Sequence, residues 1–141
     1  MTSQEKKEWL KRYESVCRQI MSKGEEIERL RSLETKITPT LSDMPKAQSS
    51  DNKIEIITEK IIEVESQIGD ELDELQSIRF EIEKAVKQIQ NEIYRELLER
   101  RYIRGQRWEK IAIDMVYDYR YVLKLHGEAL KSLHIGKEDT K

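Results

Sequence analysis

Chain-breaking residues are scarce, with two prolines and five glycines among 141 positions. So few turn formers argue against a sheet protein assembled from many short strands. Cysteine is nearly absent as well. Cys17 stands alone, which excludes an internal disulfide and fits a reducing compartment. No apolar run approaches the roughly 20 residues that a membrane-spanning helix requires. The opening MTSQEKKEWL holds no apolar signal-peptide core. A soluble, cytoplasmic protein without membrane partners is expected.

Catalytic equipment is lacking too. No nucleophile–base set, phosphate loop or metal motif stands out. His126 and His134 are eight residues apart with no cysteine near them, short of the three or four convergent ligands a metal needs. The carboxylates between residues 55 and 83 fall mostly on solvated helix faces. Neither enzyme activity nor any metal or cofactor is expected.

What the chain has in quantity is charge, 38% of residues against 37% hydrophobic. That mixture suits long solvated helices, with stability drawn from helix seams and one small core. The net charge of −2 conceals an uneven distribution. Residues 1–90 hold 15 Lys/Arg against 19 Asp/Glu, whereas residues 100–131 hold 8 against 4. A local excess of four positive charges suits a polyanionic partner.

Periodicity organises the first 90 residues. Leu10, Tyr13, Cys17, Ile20, Gly24 and Ile27 are spaced 3, 4, 3, 4, 3; Leu30, Leu33 and Ile37 extend the stripe after a slight shift. Such a seam is coiled-coil-like. Gly24 costs about 1 kcal/mol inside a helix, so a bend or a close helix approach is expected there. Residues 38–50 carry both prolines and a Ser/Thr cluster and read as a loop, with Asp51 or Asn52 capping the next helix. Ile54, Ile57, Ile61, Val64 and Ile68 then form a second seam, continued by Leu72, Leu75, Ile78, Ile82, Val86 and Ile89 after a four-residue step. The two seams can pair within one chain as an antiparallel hairpin or between chains. The division expected is 1–90 for the two long helices with a loop at 38–52, 91–136 for a second domain, and 137–141 for a polar tail.

Three shorter helices fit the second domain, at about 92–104, 107–115 and 119–133, with Gly105 between the first two. Ala112 is small enough for close helix crossing. Ile111, Met115, Tyr117, Val122 and Leu125 can supply packing, and Ala129, Leu130 and Leu133 continue the buried face. Leu97, Leu98, Tyr102 and Ile103 give the supporting helix its apolar side. With Val122, Leu125 and Ala129 inward, Tyr119, Arg120, Tyr121 and Lys124 face out near the last helix's N-terminus, suited to base edges and phosphates. Arg107 and Lys110, at the start of the preceding helix, can reach a phosphate backbone. Trp108 reads as packing at that helix start, and His126 as the edge of the small core or a phosphate contact.

The run YRELLERRYIRGQRWEKIAIDMVYDYRYVLKLHGEALKSL resembles region 4 of the sigma-70 family. The similarity lies in its LLxxRY helix, Gly105, Glu109 with Ile111 and Ala112, Val122, and the Ala129–Leu130 pair. Nearly the full length is similar to a family of small phage- and prophage-encoded sigma-region-4-like proteins of Gram-positive hosts, through TPTLSDMPK, RYIxG, WExIA and YRxVxxLHGxAL. The resemblance implies an all-α protein: a long coiled-coil-like helical hairpin followed by a three-helix helix-turn-helix domain. It also implies a regulator of phage genes in the bacterial cytoplasm that binds double-stranded DNA through residues 119–133. RNA polymerase and a second copy of the chain, joined through the long helices, are further candidate partners. A phage DNA-packaging recognition subunit, or a polymerase-binding protein with no DNA binding of its own, are the alternatives. Departures from the pattern carry physical expectations. Val116 stands where such turns favour glycine and is strained if its φ is positive. Arg107 replaces a capping Ser or Thr, and Asp118 replaces a capping Ser and is expected to cap in its stead.

Overall fold

A computed structural model describes residues 1–41 and 47–136, with side chains from 1–37 and 51–136. Five α-helices follow in order: α1 Ser3–Leu41, α2 Ala47–Lys87, α3 Glu92–Leu98, α4 Trp108–Met115 and α5 Tyr119–Ser132. No strand occurs among the described residues, and no helix is long and apolar enough to cross a membrane.

Local chemistry sets the helix ends. Glu5 N donates to Thr2 Oγ1 at 3.1 Å, which caps α1. Asn91 Oδ1 accepts from Ile93 N at 2.9 Å and Tyr94 N at 3.3 Å, so α3 begins where a side chain takes up its orphan N–H groups. After Leu98 the helix widens into a π turn, Glu99–Ile103, closed by Arg104 N donating to Glu99 O at 3.0 Å. Gly105, at φ +69°, then reverses the chain in a conformation that L side chains resist.

Helix ends in the C-terminal region fall close to expectation, and α2 does end at Lys87. The first connection differs. Residues expected in a loop belong to α1 through Leu41 and to α2 from Ala47. Asp51 and Asn52 therefore lie inside α2 and do not cap it. Residues 42–46, the rest of that loop, and the tail at 137–141 lie outside the described residues.

The chain gathers into two compact units: Cys17–Glu74, and Met1–Val16 with Leu75–Lys141. In the first, Ile27, Ile61 and Val64 are buried together with Leu30, Ile57 and Ile68 against them. Lys23 pairs with Glu71, and Thr58 Oγ1 donates to Glu34 Oε2 at 2.8 Å, so these stretches of α1 and α2 run antiparallel. Two seam assignments need correcting. Leu33 is 47% exposed and Leu72 45%, while Glu34 and Glu71 are half-buried in their stead. With Glu71 inward the 3–4 spacing from Val64 to Ile82 runs without a step. A carboxylate can hold a seam position when a cation or hydroxyl meets it. Glu71 Oε2 nonetheless has no hydrogen-bond partner among the described residues. No close helix approach explains Gly24, since a Cβ there would meet nothing within 4 Å.

In the second unit α3 and α4 both pack on α5, and α4 also meets the π turn. Leu97, Leu98, Ile111, Val122, Ala129 and Leu133 are wholly buried, each large one contributing about 1.5–3 kcal/mol. The opening turns of α1 belong to this unit. Leu10 is fully buried, and the buried Lys6 donates from Nζ to Leu130 O at 3.0 Å. Val116 ends α4 at φ 59°, ψ 49°, so the expected strain is present, about 1–2 kcal/mol for a residue with a Cβ.

Two stability changes follow. Lys6→Ala removes one of the two donors to Leu130 O, Leu133 N being the other, and lowers unfolding free energy by about 1 kcal/mol in urea titration; a loss within error would show that the contact contributes nothing. Val116→Gly removes the strain and raises stability by roughly 1 kcal/mol, and a decrease would show that the valine side chain is held by something else.

Candidate nucleic-acid interface

The last helix has two unlike sides. Val122, Leu125, His126, Ala129 and Leu130 are buried, and Ile111 and Ala112 of α4 are buried as well. At 100° per residue the opposite side of α5 presents Arg120, Lys124 and Lys131 within roughly 40° of arc. All three are exposed, and none forms an ion pair among the described residues. Gly127 lies on the same side and leaves it low. Tyr121, 46% exposed, lies beside the stripe, whereas Tyr119, 42% exposed, opens the helix on the arc of His126 and Leu130. Tyr121 is further held by an edge contact with Tyr117, ring centroids 5.2 Å apart.

Helix α4 offers its first turn. Arg107 is its N-cap residue, exposed and with no side-chain cap hydrogen bond. Lys110 is exposed too, but its Nζ lies 3.2 Å from Asp114 Oδ1, so part of its charge is already answered. Asp118 takes the N-cap place of α5 with extended backbone, yet its side chain accepts no cap bond. The expectation that it caps is corrected accordingly: the carboxylate stays exposed, where water already satisfies it.

The structure thus gathers Arg120 and Lys124 on one stripe, sets Tyr121 beside it and Tyr119 away from it, and leaves Arg107 and Lys110 on the neighbouring helix. Lys131 was not anticipated, although its distance of seven residues from Lys124 is the helical signal that finds it.

Beneath the stripe, Tyr102 O–H lies 2.7 Å from His126 Nε2, and Trp108 packs on the imidazole with centroids 4.5 Å apart. Trp108 therefore packs as expected, and His126 is a core residue. Burial is the main cause that holds its pKa down at about 4, with Lys7, Arg101 and Lys11 adding to the effect. Burial likewise pushes the Tyr102 phenol up to about 12. Both groups are therefore neutral, and the imidazole tautomer sets which of them donates in the bond.

No protein-family model, curated protein or solved structure matches this chain.

The histidine makes stability pH-dependent. Its folded pKa lies below the ordinary 6.5, so the unfolded chain takes up a proton that the folded one refuses. Its contribution to stability is complete above about pH 6.5 and is lost towards pH 4, by at most about 1.4 kcal/mol per pH unit. Urea midpoints measured from pH 7 to pH 4.5 should fall more steeply in the native protein than in His126→Gln. Parallel curves would remove His126 as the cause.

Proposed function

We propose that the chain is a DNA-binding transcriptional regulator of phage or prophage genes, with α4 and α5 as a helix-turn-helix and α5 in the major groove. The observation that carries this reading is the outward stripe of α5. Three cations with no acidic partner among the described residues stand on the side opposite a buried one, with the exposed Tyr121 beside them. Cations left unpaired suit a surface that meets external phosphate, where they release counterions on binding. Arg120, nearest the helix start, has the fork geometry for a guanine edge. Arg107 and Lys124 serve the backbone, and Lys110 adds to them once it leaves Asp114. The resemblance to sigma-70 region 4 supports the reading and directs it towards promoters. The two long helices are then a hairpin that self-associates or engages a partner such as RNA polymerase. No catalytic role is proposed.

Gel-shift titrations across a salt series test the assignments. Arg120→Ala should lose ~1–3 kcal/mol of specific binding if it reads a base. Arg107→Ala and Lys124→Ala should each weaken binding on all sequences and flatten the salt slope by about one. Wild-type affinity and slope in all three would refute the interface. Genome-wide footprinting in the phage-bearing cell decides the role. Occupancy upstream of an operon supports regulation, occupancy at a packaging site points to a packaging subunit, and none leaves a polymerase-binding protein.

A further inference from the structure

A cleft of about 270 Å³ opens on another flank of the same unit, between the first turns of α1, the π turn, the start of α4 and the middle of α5. Its wall is largely aromatic, made by Trp108, Tyr102 and His126, with Leu123 beside them. Its remaining lining is cationic: Lys7 and Lys11, one turn apart on α1, and Arg101 from the π turn. None of these three forms an ion pair among the described residues.

Arg101 is already fixed in direction. Its guanidinium carbon sits 4.6 Å from the Trp108 ring centroid, and Nη1 donates to Gln106 O at 3.1 Å. A guanidinium has five N–H donors, so most remain for a ligand. Lys7 and Lys11 stand four residues apart on one helix, a spacing at which like charges repel. Arg101 adds a third charge to the same cleft; no carboxylate lines it, and Glu14, further along α1, is near enough only to raise the Tyr102 phenol. The field they set up is felt at His126, where each of them disfavours the imidazolium.

We infer that this cleft binds a phosphate group, with Lys7 and Lys11 as mobile point charges and Arg101 as an oriented fork. A tetrahedral oxyanion answers all three cations together, and charge-assisted bonds to it are the strong ones. The volume exceeds what phosphate alone needs, and the Trp108 and Leu123 surfaces leave room for an attached sugar. Two sources share this chemistry, the backbone of a duplex beside α5 and a free phosphoryl compound. The first rests on the function proposed above; the phosphate site itself does not.

The test is NMR of the His126 ring in the full-length protein, titrated with inorganic phosphate against chloride of equal ionic strength, and in parallel with a duplex of arbitrary sequence. Phosphate should shift the ring resonances saturably and raise the imidazole pKa, because an anion offsets the cations. Lys7→Gln with Lys11→Gln should abolish that response, while Lys7→Arg with Lys11→Arg should keep it. Arg120→Ala with Lys124→Ala should also keep it, which separates this site from the α5 stripe. If the duplex is the source, the glutamine pair binds it at least tenfold more weakly, with a salt slope reduced by about two. A phosphate response with unchanged duplex binding assigns the cleft to a free phosphoryl compound. Equal responses to phosphate and chloride, or none to phosphate in folded wild-type protein, would overturn the inference.

Discussion

The larger unit is fastened by a bond between the start of the chain and the end of its last helix. Lys6 Nζ reaches Leu130 O, and the lysine is only 7% exposed. Removing an ammonium from water costs several kcal/mol unless partners repay it. Here the acceptor lies in the final turn of α5, where unsatisfied carbonyls and the helix dipole gather negative charge. Leu133 N donates to the same oxygen at 3.2 Å, so one carbonyl both closes the helix and holds the lysine. The consequence is architectural. The first turns of α1, with Leu10 fully buried, join the end of α2 and the three short helices in one unit, and Lys7 and Lys11 come to line the same cleft as Arg101.

How much of this could be read from the sequence follows from what each residue type advertises. The bounds of α4 and α5 fall within one residue of the expected ones, because an apolar period and a polar turn agree there. The outward placement of Arg120, Lys124 and Tyr121 follows from the same period, whereas Tyr119 is exposed as the first residue of α5. Leu72 and Leu33 misled for a converse reason. Hydropathy favours leucine over glutamate at a seam, but Glu71 meets Lys23 and Glu34 meets Thr58, and pairing across the helices is invisible in one strand of sequence. Lys6 is the same case, since a lysine is almost never expected inside. The π turn at Glu99–Ile103 has an i→i+5 ladder that no 3.6-residue pattern signals.

Val116 shows how the turn is held against its own preference. The residue is left-handed and 85% exposed, so it has the cost of strain without the return of burial. Such a conformation persists only when its surroundings over-determine it. They do so here through Tyr117 N, which donates to Ala112 O at 3.0 Å, and through Ile111 and Val122, both fully buried on either side of the turn. The direction in which α5 leaves α4 is thereby set by packing, and with it the side on which Arg120 and Lys124 emerge.

The positive charge of residues 100–131 is not free in equal measure along that stretch. Arg100 Nε lies 2.8 Å from Glu96 and its Nη1 3.3 Å from Asp114, while Arg104 meets Glu99 at 3.4 Å. These arginines brace α3, the π turn and α4 against one another, and their charge is spent within the unit. Glu128, the one acid within α5, is engaged by Tyr94, whose hydroxyl donates to it at 2.8 Å. Glu96, Glu99, Asp114 and Glu128 are therefore engaged within the unit, while Glu109 and Asp118 stay exposed. Among the described residues, the cations without an ion pair include Arg107, Arg120, Lys124 and Lys131 on α4 and α5, and Lys7, Lys11 and Arg101 around a cleft. A net charge of −2 thus coexists with two local surfaces of the opposite sign, and at physiological ionic strength fields are screened over about 8 Å. A polyanion approaching either surface meets those cations rather than the average of the chain.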